Sequence, residues 1–562
     1  MTSSPASDAA AGLLGELIEH GVRDLVLSPG SRSQALTLAA MALARAEALR
    51  VHVRIDERVA GFLALGIARE TGRPVPVICT SGTAAGNLLP ATMEAFHSGI
   101  PLLLLTADRP PELRGVGANQ ASIQPGIFSA FVRMQVDAPV PGTAADGDGP
   151  NTAAGWAGLG ASAVRAALGL DGEGISGVRG PVHLNLPARE PLSAAGDVTA
   201  TAGDLPVREA PTPVVLERGP RTVVIAGADA GADAEELAHS GGWPLIAEIV
   251  SGARFGRLVV HGYRELLRAD ALGGRVERAV VFGHPTLSRE VTALLSRGDV
   301  EVVAVRSGGE ALNLNRRTTP ADAVTVAAGA GDRVWLGEWM TASNALVIDL
   351  SAPAPDQDGL YSLDKGARLG AVRAELDAVR KRVDREILVD AVWRATWPHD
   401  RLVFGSSRLV RVADQVLGGK KVPVHANRGL AGIDGTIATA IGIAAASQAE
   451  GAPGATRVLL GDLAFLHDVG ALMLPADEPA PRIQVIVGND GGGTIFDGLE
   501  VAASAPAEDL DRGFFTPHTA SLREIAAAYG WEFAHVSTRS VLDQALTSPI
   551  VGPQIIEVPL DR

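Results

Sequence analysis

The sequence predicts an α/β protein with doubly wound parallel sheets, because short apolar runs alternate with helical patterns along most of the chain. In the first third, apolar runs cover residues 25–28, 51–55, 75–79 and 102–105, and residues 34–48 and 57–70 have helical spacing. Strands that are apolar throughout are buried on both faces, which is typical of parallel sheets covered by helices. Such sheets bind ligands at the carboxyl ends of their strands, so the polar residues that follow each run are the functional candidates.

The same pattern returns in the last third, with runs at residues 402–404, 422–425, 457–460 and 483–487. A central region has runs at residues 222–226, 244–247, 279–282 and 302–305, with fewer polar groups at their ends. Two segments without the pattern, residues 194–213 and 352–370, are predicted to be linkers. We therefore expect three Rossmann-like domains, at residues 1–195, 210–352 and 370–562.

The composition is that of a globular protein that does not bind nucleic acids. Of 562 residues, 46% are hydrophobic and 20% are charged, and the formal charge is −15. Such a chain lacks the general attraction to phosphate backbones on which nucleic-acid binding depends. Cys79, the only cysteine, lies in an apolar run and is expected to be an unreactive core thiol. The N-terminal residues do not have the pattern of a signal peptide, and no apolar stretch reaches the roughly 20 residues of a membrane span, so a cytoplasmic location is predicted.

The strongest functional motif is a pair of acidic strand ends, Gly461-Asp462 and Asn489-Asp490, the second followed by three glycines. A helix, a turn and a strand are predicted between them, which places the two aspartates at neighbouring strand ends. Mg²⁺ prefers oxygen ligands and often bridges to a diphosphate, and glycines allow the backbone to approach phosphates closely. The alternative is two ordinary turns with aspartate at helix N-termini. The combination at this spacing favours a metal–diphosphate site.

This pair of segments resembles the metal–diphosphate motif of thiamine-diphosphate enzymes, in which Gly-Asp is followed by Asn-Asn or a variant. Here Asp490 stands in place of the second Asn. The resemblance implies the architecture of these enzymes, with Asp462, Asp490 and the main-chain carbonyl of Gly492 as ligands of Mg²⁺ or Mn²⁺. It also implies that Glu57 is the catalytic glutamate, which hydrogen-bonds the aminopyrimidine ring of the cofactor. The other implied cofactor contacts are Ser81, Gly82, Ser407, Gly461, Leu463, Ile495 and Phe496. A glutamate and a metal site so far apart in sequence normally meet across two subunits, which implies a homodimer or a homotetramer.

Further segments resemble one family of these enzymes, the 2-succinyl-5-enolpyruvyl-6-hydroxy-3-cyclohexene-1-carboxylate synthases (SEPHCHC synthases) of menaquinone biosynthesis. They are residues 28–33, 80–84, 105–113, 117–120, 427–429, 432–435 and 461–463. The resemblance implies that the chain decarboxylates 2-oxoglutarate and adds the remaining succinyl unit to isochorismate by conjugate addition. Both substrates carry carboxylates, which suit the planar fork of arginine. The implied substrate contacts are Ser31, Arg32, Arg109, Gln120, Arg289, Ser407, Arg411 and Arg428.

Three further positions depart from the family pattern. Glu290 follows Arg289 where members often have two basic residues, Ser406 stands at a position of asparagine, and Thr494 replaces the usual glycine or glutamine before Ile-Phe. The histidines of the chain that could act as bases are assigned structural or surface roles; they are His97, His425, His467 and His518.

Two rival functions stay open at this point. One is another thiamine-diphosphate enzyme, either a simple 2-oxo-acid decarboxylase or an acetolactate-synthase-like ligase, and the set of arginines counts against its small apolar substrates. The other is a nucleotide-binding regulatory protein. The lack of a Gly-x-Gly-x-x-Gly pattern after residues 222–226 counts against it.

Overall fold

The computed structural model describes residues 4–142, 155–170, 177–194 and 198–562. Within these residues the strands form three large parallel sheets, one in each of the three regions that the sequence pattern separates. The predicted α/β class with parallel sheets is therefore confirmed. The exact domain boundaries stay predictions, and residue 195, the predicted end of the first domain, lies outside the described residues.

The first sheet has six strands in the order β2-β1-β3-β4-β6-β5. The strands are β1 (Asp24–Leu27), β2 (Arg50–Val53), β3 (Val75–Cys79), β4 (Leu102–Asp108), β5 (Met134–Asp137) and β6 (Val182–Pro187). The helices are α1 (Pro5–Glu19), α2 (Gln34–Arg45), α3 (Glu57–Thr71), α4 (Thr83–Asn87), α5 (Leu89–Ser98) and α6 (Leu159–Ala167). Leu102 and Leu104 of β4 join the buried cluster of α3 and α5, whereas Leu103 and Leu105 join that of α1, α2 and α6. Both faces of this strand are covered, which explains its continuous apolar run.

The central region contains a five-stranded sheet in the order β12-β11-β10-β8-β9 and a two-stranded sheet of β7 and β13. The strands are β7 (Val214–Leu216), β8 (Thr222–Ala226), β9 (Leu245–Ala247), β10 (Arg278–Phe282), β11 (Glu301–Val305), β12 (Thr319–Ala321) and β13 (Val324–Val326). The helices are α7 (Asp233–Gly241), α8 (Tyr263–Arg268), α9 (Arg289–Leu295) and α10 (Arg333–Asn344).

The third sheet has the order β15-β14-β16-β17-β19-β18, which is the same arrangement in chain order as the first sheet. The strands are β14 (Arg401–Phe404), β15 (Val424–His425), β16 (Thr456–Gly461), β17 (Ile483–Asn489), β18 (Glu532–His535) and β19 (Gln554–Pro559). The helices are α11 (Gln357–Leu360), α12 (Lys365–Arg380), α13 (Arg385–Ala395), α14 (Arg408–Val416), α15 (Thr436–Ser447), α16 (Asp462–His467), α17 (Val501–Ser504), α18 (Ala507–Leu510), α19 (Leu522–Tyr529) and α20 (Arg539–Thr547). None of the helices in the described ranges is long and apolar enough to cross a membrane.

Two details of the sequence prediction are wrong. The predicted linker 352–370 includes α11 and the first turns of α12, so it is not a segment without regular structure. The sequence pattern did not indicate α12, because only Ala371 of this helix is buried. The helix therefore lacks the wide apolar face by which helices are recognised in a sequence. The second strand ends at Val53 instead of residue 55, and Ile55 is 67% exposed.

The outer two sheets are joined through the close packing of α3 against α15. A Cβ atom on Gly66 of α3 would lie 2.0 Å from the carbonyl oxygen of Thr439, and one on Gly442 of α15 would lie 2.1 Å from that of Leu63. The backbones of the two helices are thus in contact, and one buried cluster extends from the first sheet to the third. Cys79 belongs to this cluster, and burial raises the pKa of its thiol, in agreement with the expected unreactive role.

Candidate active site

The third sheet presents the acidic motif at the carboxyl ends of two neighbouring strands. β16 ends at Gly461 and β17 at Asn489, and the two strands pair in parallel with Gly461 opposite Gly488. Asp462 is therefore the first residue of α16, and Asp490 follows β17 directly. This register brings both aspartates to one edge of the sheet, where ligands of parallel sheets bind.

A cavity of about 270 Å³ lies at this edge. Its wall includes every cofactor, metal and substrate residue that was predicted in the last third of the chain: Ser407, Arg411, Arg428, Gly461, Asp462, Leu463, Asp490, Gly492, Ile495 and Phe496. Ser407 follows β14, and its hydroxyl oxygen accepts the N–H of Leu409 at 3.2 Å, which caps α14. Arg411, one turn later, donates to the carbonyl oxygen of Ser407 at 3.1 Å.

Asp490, and not its neighbour Asn489, lines this cavity. The amide of Asn489 donates to Glu557 at 2.7 Å, so it is used in the sheet. The Oδ2 atom of Asp490 accepts from Nη2 of Arg385 at 2.7 Å and from the hydroxyl of Thr494. Asp490 is thus the predicted ligand that lines the cavity, and Asn489, whose Oδ1 accepts the N–H of Gly491 at 3.1 Å, stays the alternative candidate.

Asp462 is almost fully buried, with 2% of its surface exposed. Its Oδ1 accepts the N–H of Leu463 at 2.8 Å, and its Oδ2 lies 3.0 Å from Nε2 of His518. Burial and, after it, the negative charge of Asp490 raise the pKa of Asp462, whereas the contact with His518 opposes this shift. Both carboxylates line the same cavity.

The main-chain carbonyl of Gly492 is the third predicted metal ligand. With the carboxylates of Asp462 and Asp490 it forms a set of oxygen ligands that fits a divalent cation and a diphosphate. Gly492 has a φ of +154°, and a Cβ atom there would lie 2.3 Å from the carbonyl oxygen of Phe515. Only glycine fits so close to a neighbouring backbone. Within the described residues no three His, Cys, Asp or Glu side chains gather as a metal site. The predicted set needs only two, because a carbonyl oxygen and the diphosphate supply the other oxygen ligands that Mg²⁺ requires.

Arg428 connects the cavity to the central region. Its guanidinium donates to the hydroxyl of Thr286 at 2.9 Å, to the carbonyl oxygen of Thr286 at 3.2 Å and to the hydroxyl of Ser406 at 3.3 Å. Both carboxylate oxygens of the fully buried Glu248 in turn accept backbone N–H groups of Thr286 and Leu287, at 3.0 and 2.7 Å. Glu248 and the 286–287 backbone thus position Arg428.

Arg289 lies at the start of α9 and lines a second cavity of about 970 Å³. The two cavities share part of their walls, namely Arg411, Ile495 and Phe496. Arg264 and Arg268 of α8 also line the second cavity, although Arg268 is paired with Glu290. The lining of the second cavity also contains four carboxylates, those of Glu265, Glu290, Glu386 and Asp414, and Arg264 is paired with Asp414 at 2.6 Å, so positive and negative side chains are equal in number there.

The predicted residues of the first domain lie at the carboxyl edge of the first sheet. Ser81 and Gln120 are tied together, because the Ser81 hydroxyl donates to the carbonyl oxygen of Gln120 and the Gln120 amide donates to that of Ser81, both at 2.9 Å. The N–H of Gly82 donates to Gln124 at 2.9 Å. Arg109 directly follows β4 and donates twice to the carbonyl oxygen of Asn119, at 3.1 and 2.7 Å.

Two of the predicted substrate residues at this edge have a buried donor atom without a partner. Nε of Arg32 and Nη1 of Arg109 have no hydrogen-bond acceptor within the described part of the chain. Burial, and after it the positive charge of Arg109, lowers the pKa of Arg32, which shows that the two guanidinium groups are neighbours. Ser31, beside Arg32, is exposed. An anionic ligand would satisfy such donors, whose burial is otherwise unfavourable.

Glu57 is the first residue of α3, whose N-terminus is capped by Asp56. The side chain is half-buried, and its Oε2 lies 3.4 Å from the amide of Asn87. Among the residues that line the two cavities above, none belongs to the first sheet or its helices. Within one chain the predicted site is therefore divided into a first-domain part and a third-domain part.

Comparisons with known proteins show which family the chain belongs to. Residues 7–128 match the family described as thiamine pyrophosphate enzyme, N-terminal TPP binding domain. Over its whole length the chain is 53% identical to a SEPHCHC synthase of Leifsonia xyli subsp. xyli and 50% identical to one of Clavibacter michiganensis subsp. michiganensis, and it covers 97% of each. The chain belongs to the SEPHCHC synthase family. The predicted resemblance and the dependence on thiamine diphosphate are thereby confirmed. The structure is also similar to that of a benzoylformate decarboxylase from Polynucleobacter necessarius, with a TM-score of 0.64 over 100% of this chain and 99% of the other, at 15% identity, which confirms the thiamine-diphosphate-enzyme fold.

Membership of the SEPHCHC synthase family also decides against the two rival functions that the sequence left open. Four contacts of the site were not predicted: Arg385 and Thr494 on Asp490, His518 on Asp462, and Thr286 on Arg428. His518 had been assigned a structural or surface role. Three of these residues come from segments away from the family motifs, so no local pattern indicates them.

Proposed function

We propose that the chain is the SEPHCHC synthase of menaquinone biosynthesis, which decarboxylates 2-oxoglutarate and adds the succinyl unit to isochorismate by conjugate addition, with release of CO₂. The observation that carries this proposal is the shared wall of the two cavities. It joins the paired carboxylates Asp462 and Asp490 to the cations Arg289, Arg411 and Arg428. A diphosphate cofactor and a polycarboxylate substrate would thus lie side by side.

In this proposal Asp462, Asp490 and the carbonyl of Gly492 hold Mg²⁺ or Mn²⁺, which in turn binds the diphosphate of thiamine diphosphate. Ser407, Gly461 and Leu463 line the same cavity and contact the cofactor. When bound, thiamine diphosphate supplies a nucleophilic carbon and accepts the electron pair that decarboxylation releases. Ile495 and Phe496 form an apolar wall beside the reacting carbon, which excludes water from it.

The remaining proposed roles belong to the first domain. Glu57 exchanges a proton with the aminopyrimidine ring, and Ser81 and Gly82 contact the same ring. Ser31, Arg32, Arg109 and Gln120 bind substrate together with Ser407. The unpaired donors of Arg32 and Arg109 are suited to this role, because an arginine fork binds a carboxylate with two parallel hydrogen bonds.

The active enzyme is a homodimer or a homotetramer in this proposal, and it is cytoplasmic. Two observations support the assembly. Glu57 does not line the cavity of the metal ligands in its own chain. Large apolar side chains are exposed next to both parts of the site, for example Ile55 at 67% and Ile123 at 88% in the first domain and Ile433 at 39% in the third. A second subunit would cover them and bring the two parts together.

The proposal is tested by incubating the protein with thiamine diphosphate, Mg²⁺, 2-oxoglutarate and isochorismate and identifying the product by mass. We expect SEPHCHC and an equal amount of CO₂, with no product when Mg²⁺ is removed by a chelator. Arg428→Met should weaken the use of substrate but retain cofactor binding. Release of succinic semialdehyde at the same rate with and without isochorismate would contradict the proposed acceptor.

A further inference from the structure

A buried glutamate of the first domain holds the backbone next to Arg428. The Arg428 loop, residues 426–430, begins directly after β15, and Arg428 lines the cavity of about 270 Å³. Glu94 of α5 accepts the N–H of Gly429 on Oε1 at 2.9 Å and the N–H of Leu430 on Oε2 at 2.8 Å. Only 3% of Glu94 is exposed, so water does not compete for these bonds. The two peptide groups that follow Arg428 are therefore fixed by a side chain of another domain.

Arg69 of α3 holds the other end of the Arg428 loop. Its Nη1 donates to the carbonyl oxygen of Ala426 at 2.7 Å and to both carboxylate oxygens of Asp229, at 2.9 and 3.0 Å. Its Nη2 lies 3.7 Å from Oε1 of Glu94, and the side chains of this ion pair are 3% and 4% exposed. The loop is thus bound at both ends by one buried ion pair of the first domain, and Asp229 joins that pair to the central region.

The backbone of the Arg428 loop also packs directly against the last turn of α5. A Cβ atom on Gly429 would lie 2.8 Å from the hydroxyl oxygen of Ser98, 2.9 Å from Cβ of His97 and 3.0 Å from the carbonyl oxygen of Glu94. The Ser98 hydroxyl in turn donates to Oε1 of Glu94 at 2.8 Å. Because helix and loop are in such close contact, a change at Glu94 acts directly on the backbone that carries Arg428.

The position of this backbone decides where Arg428 can present its guanidinium. Three of the five N–H groups are used by Thr286 and Ser406, which leaves two without a partner in the described part of the chain. A bidentate pair between guanidinium and carboxylate depends on their mutual orientation. Burial lowers the pKa of Arg428, and the negative charges of Glu248 and Glu94 act against that shift, so Glu94 also favours the charged form.

We propose that Glu94, together with Arg69, is a positioning residue of the substrate site, which fixes the Arg428 loop and so directs the Arg428 guanidinium towards a substrate carboxylate. Glu94 is not among the residues that line the two cavities of the site, so it acts through Arg428 and is not catalytic. The inference rests on the proposed role of Arg428 in substrate binding.

The test is a double-mutant cycle of Glu94→Gln and Arg428→Lys in the full-length protein, with kcat/KM measured for 2-oxoglutarate and for isochorismate. Glu94→Gln keeps the shape of the side chain, but its NH₂ group cannot accept the second backbone N–H. The resulting displacement of Arg428 should lower kcat/KM for at least one substrate by about 10- to 100-fold. Lysine keeps the charge but lacks the planar fork, so in the Arg428→Lys background the same change should cost less than about threefold. Equal losses in both backgrounds would overturn the proposal.

The dissociation constant of thiamine diphosphate with Mg²⁺, measured by calorimetry without substrates, separates positioning from general damage. Glu94→Gln should leave this constant unchanged. A loss of cofactor binding in parallel with kcat/KM would instead show that the whole contact between the first and third domains is disrupted, and the proposal would be wrong.

Asp400→Asn is the matched control. Asp400 is 4% exposed, and its carboxylate likewise accepts two backbone N–H groups, those of Trp397 and Ala455, both at 2.9 Å. It directly precedes β14 and so lies at the amino edge of the third sheet, opposite the site. This change should lower the melting temperature but leave kcat/KM unchanged.

Gly429→Ala perturbs the same loop without removing a charged group, so the test does not depend on whether Glu94→Gln folds. The added Cβ should displace the loop from Ser98 and lower kcat/KM with cofactor binding retained, and an unchanged kcat/KM would contradict the role of the loop. If Arg428→Lys alone leaves kcat/KM unchanged for both substrates, the proposed function of Arg428 fails. A loss with Arg428→Lys but additive effects in the cycle contradicts only this inference.

Discussion

The contact between α3 and α15 predicts that replacing Gly66 by alanine destabilises the protein. The new Cβ would lie 2.0 Å from the carbonyl oxygen of Thr439, whereas real Cβ contacts are essentially never under 3.0 Å. The obstacle is backbone, so no side chain can rotate away. The two helices would have to separate by about 1 Å along an interface that includes Phe62, Leu63 and Ile441.

Overpacking of this kind typically costs 1–3 kcal/mol, and we expect the upper end, about 3 kcal/mol, because neither backbone can yield alone. At about 2 °C per kcal/mol for a large domain, the melting temperature should fall by roughly 6 °C. Gly15→Ala is the matched control, because Gly15 lies inside α1 and a Cβ there meets nothing within 4 Å. That change should stabilise the protein by about 0.5–1 kcal/mol through helix propensity.

Differential scanning calorimetry of the two variants and the wild type measures both effects. A Gly66→Ala variant that melts at or above the wild-type temperature would refute the close approach of the two helices. If the melting temperatures of the two variants shifted by the same amount, helix propensity alone would explain the change. The location of Glu57 at the start of α3 adds a functional readout, since a displaced α3 should also weaken binding of thiamine diphosphate.

Three more predictions concern the site and the response to acid. Glu57→Gln should fold normally, because the side chain is only half-buried, but should slow proton exchange at the thiazolium carbon of the bound cofactor by about 10²–10⁴-fold, as measured by NMR; unchanged exchange would remove Glu57 from the mechanism. Asp462→Ala should abolish Mg²⁺-dependent cofactor binding in a titration, whereas Asp299→Ala, at an exposed carboxylate of the central region, should not. Burial alone would raise the pKa of Asp24, but hydrogen bonds from Arg50 and His52 lower it to about 2. Because an unfolded aspartate titrates near 3.9, this carboxylate stabilises the fold above pH 4 by about 2 kcal/mol, and the contribution is lost as the pH falls towards 2. Urea unfolding of the wild type and Asp24→Asn should therefore differ most at pH 5, by about half as much at pH 3 and least towards pH 2, and a constant difference would contradict the assignment.

The fold could be predicted from the sequence because a strand buried on both faces must be apolar at every position. β3 meets this condition, and β8, β10 and β16 meet it apart from their terminal residues, so each was located within about two residues. The rule fails for an apolar residue that is not buried in the single chain. Ile55 was included in a strand, yet it is exposed in the single chain beside Asp56 and Glu57. An exposed apolar side chain has the same letter as a core residue, so the pattern does not distinguish them.

The part of the site that could be predicted from the sequence is the part that lies at the ends of parallel strands. Residues directly after parallel strands share an edge, so Asp462 and Asp490 could be paired from the sequence. Arg385 and His518 reach the same carboxylates from α13 and from the segment before α19, more than 25 residues from either motif strand, and nothing local to them signals a ligand. Their roles depend on side-chain geometry, which only the folded chain defines.

The distribution of charge gives a last argument about the ligand. The chain carries a net charge of −15, yet its first-domain edge holds the buried Arg109 and the half-buried Arg32, each with one buried donor atom that has no acceptor in the described residues. An unsatisfied buried donor costs about 1–3 kcal/mol, so Arg32 and Arg109 lower the stability of the single chain. The carboxylate of Asp108 does not accept from these two atoms, because it is engaged by Arg114 at 2.8 Å and by Asn185 at 2.9 Å. Arg32 and Arg109 both lie at the carboxyl edge of a parallel sheet, where ligands bind, so a substrate with two carboxylates is suited to both.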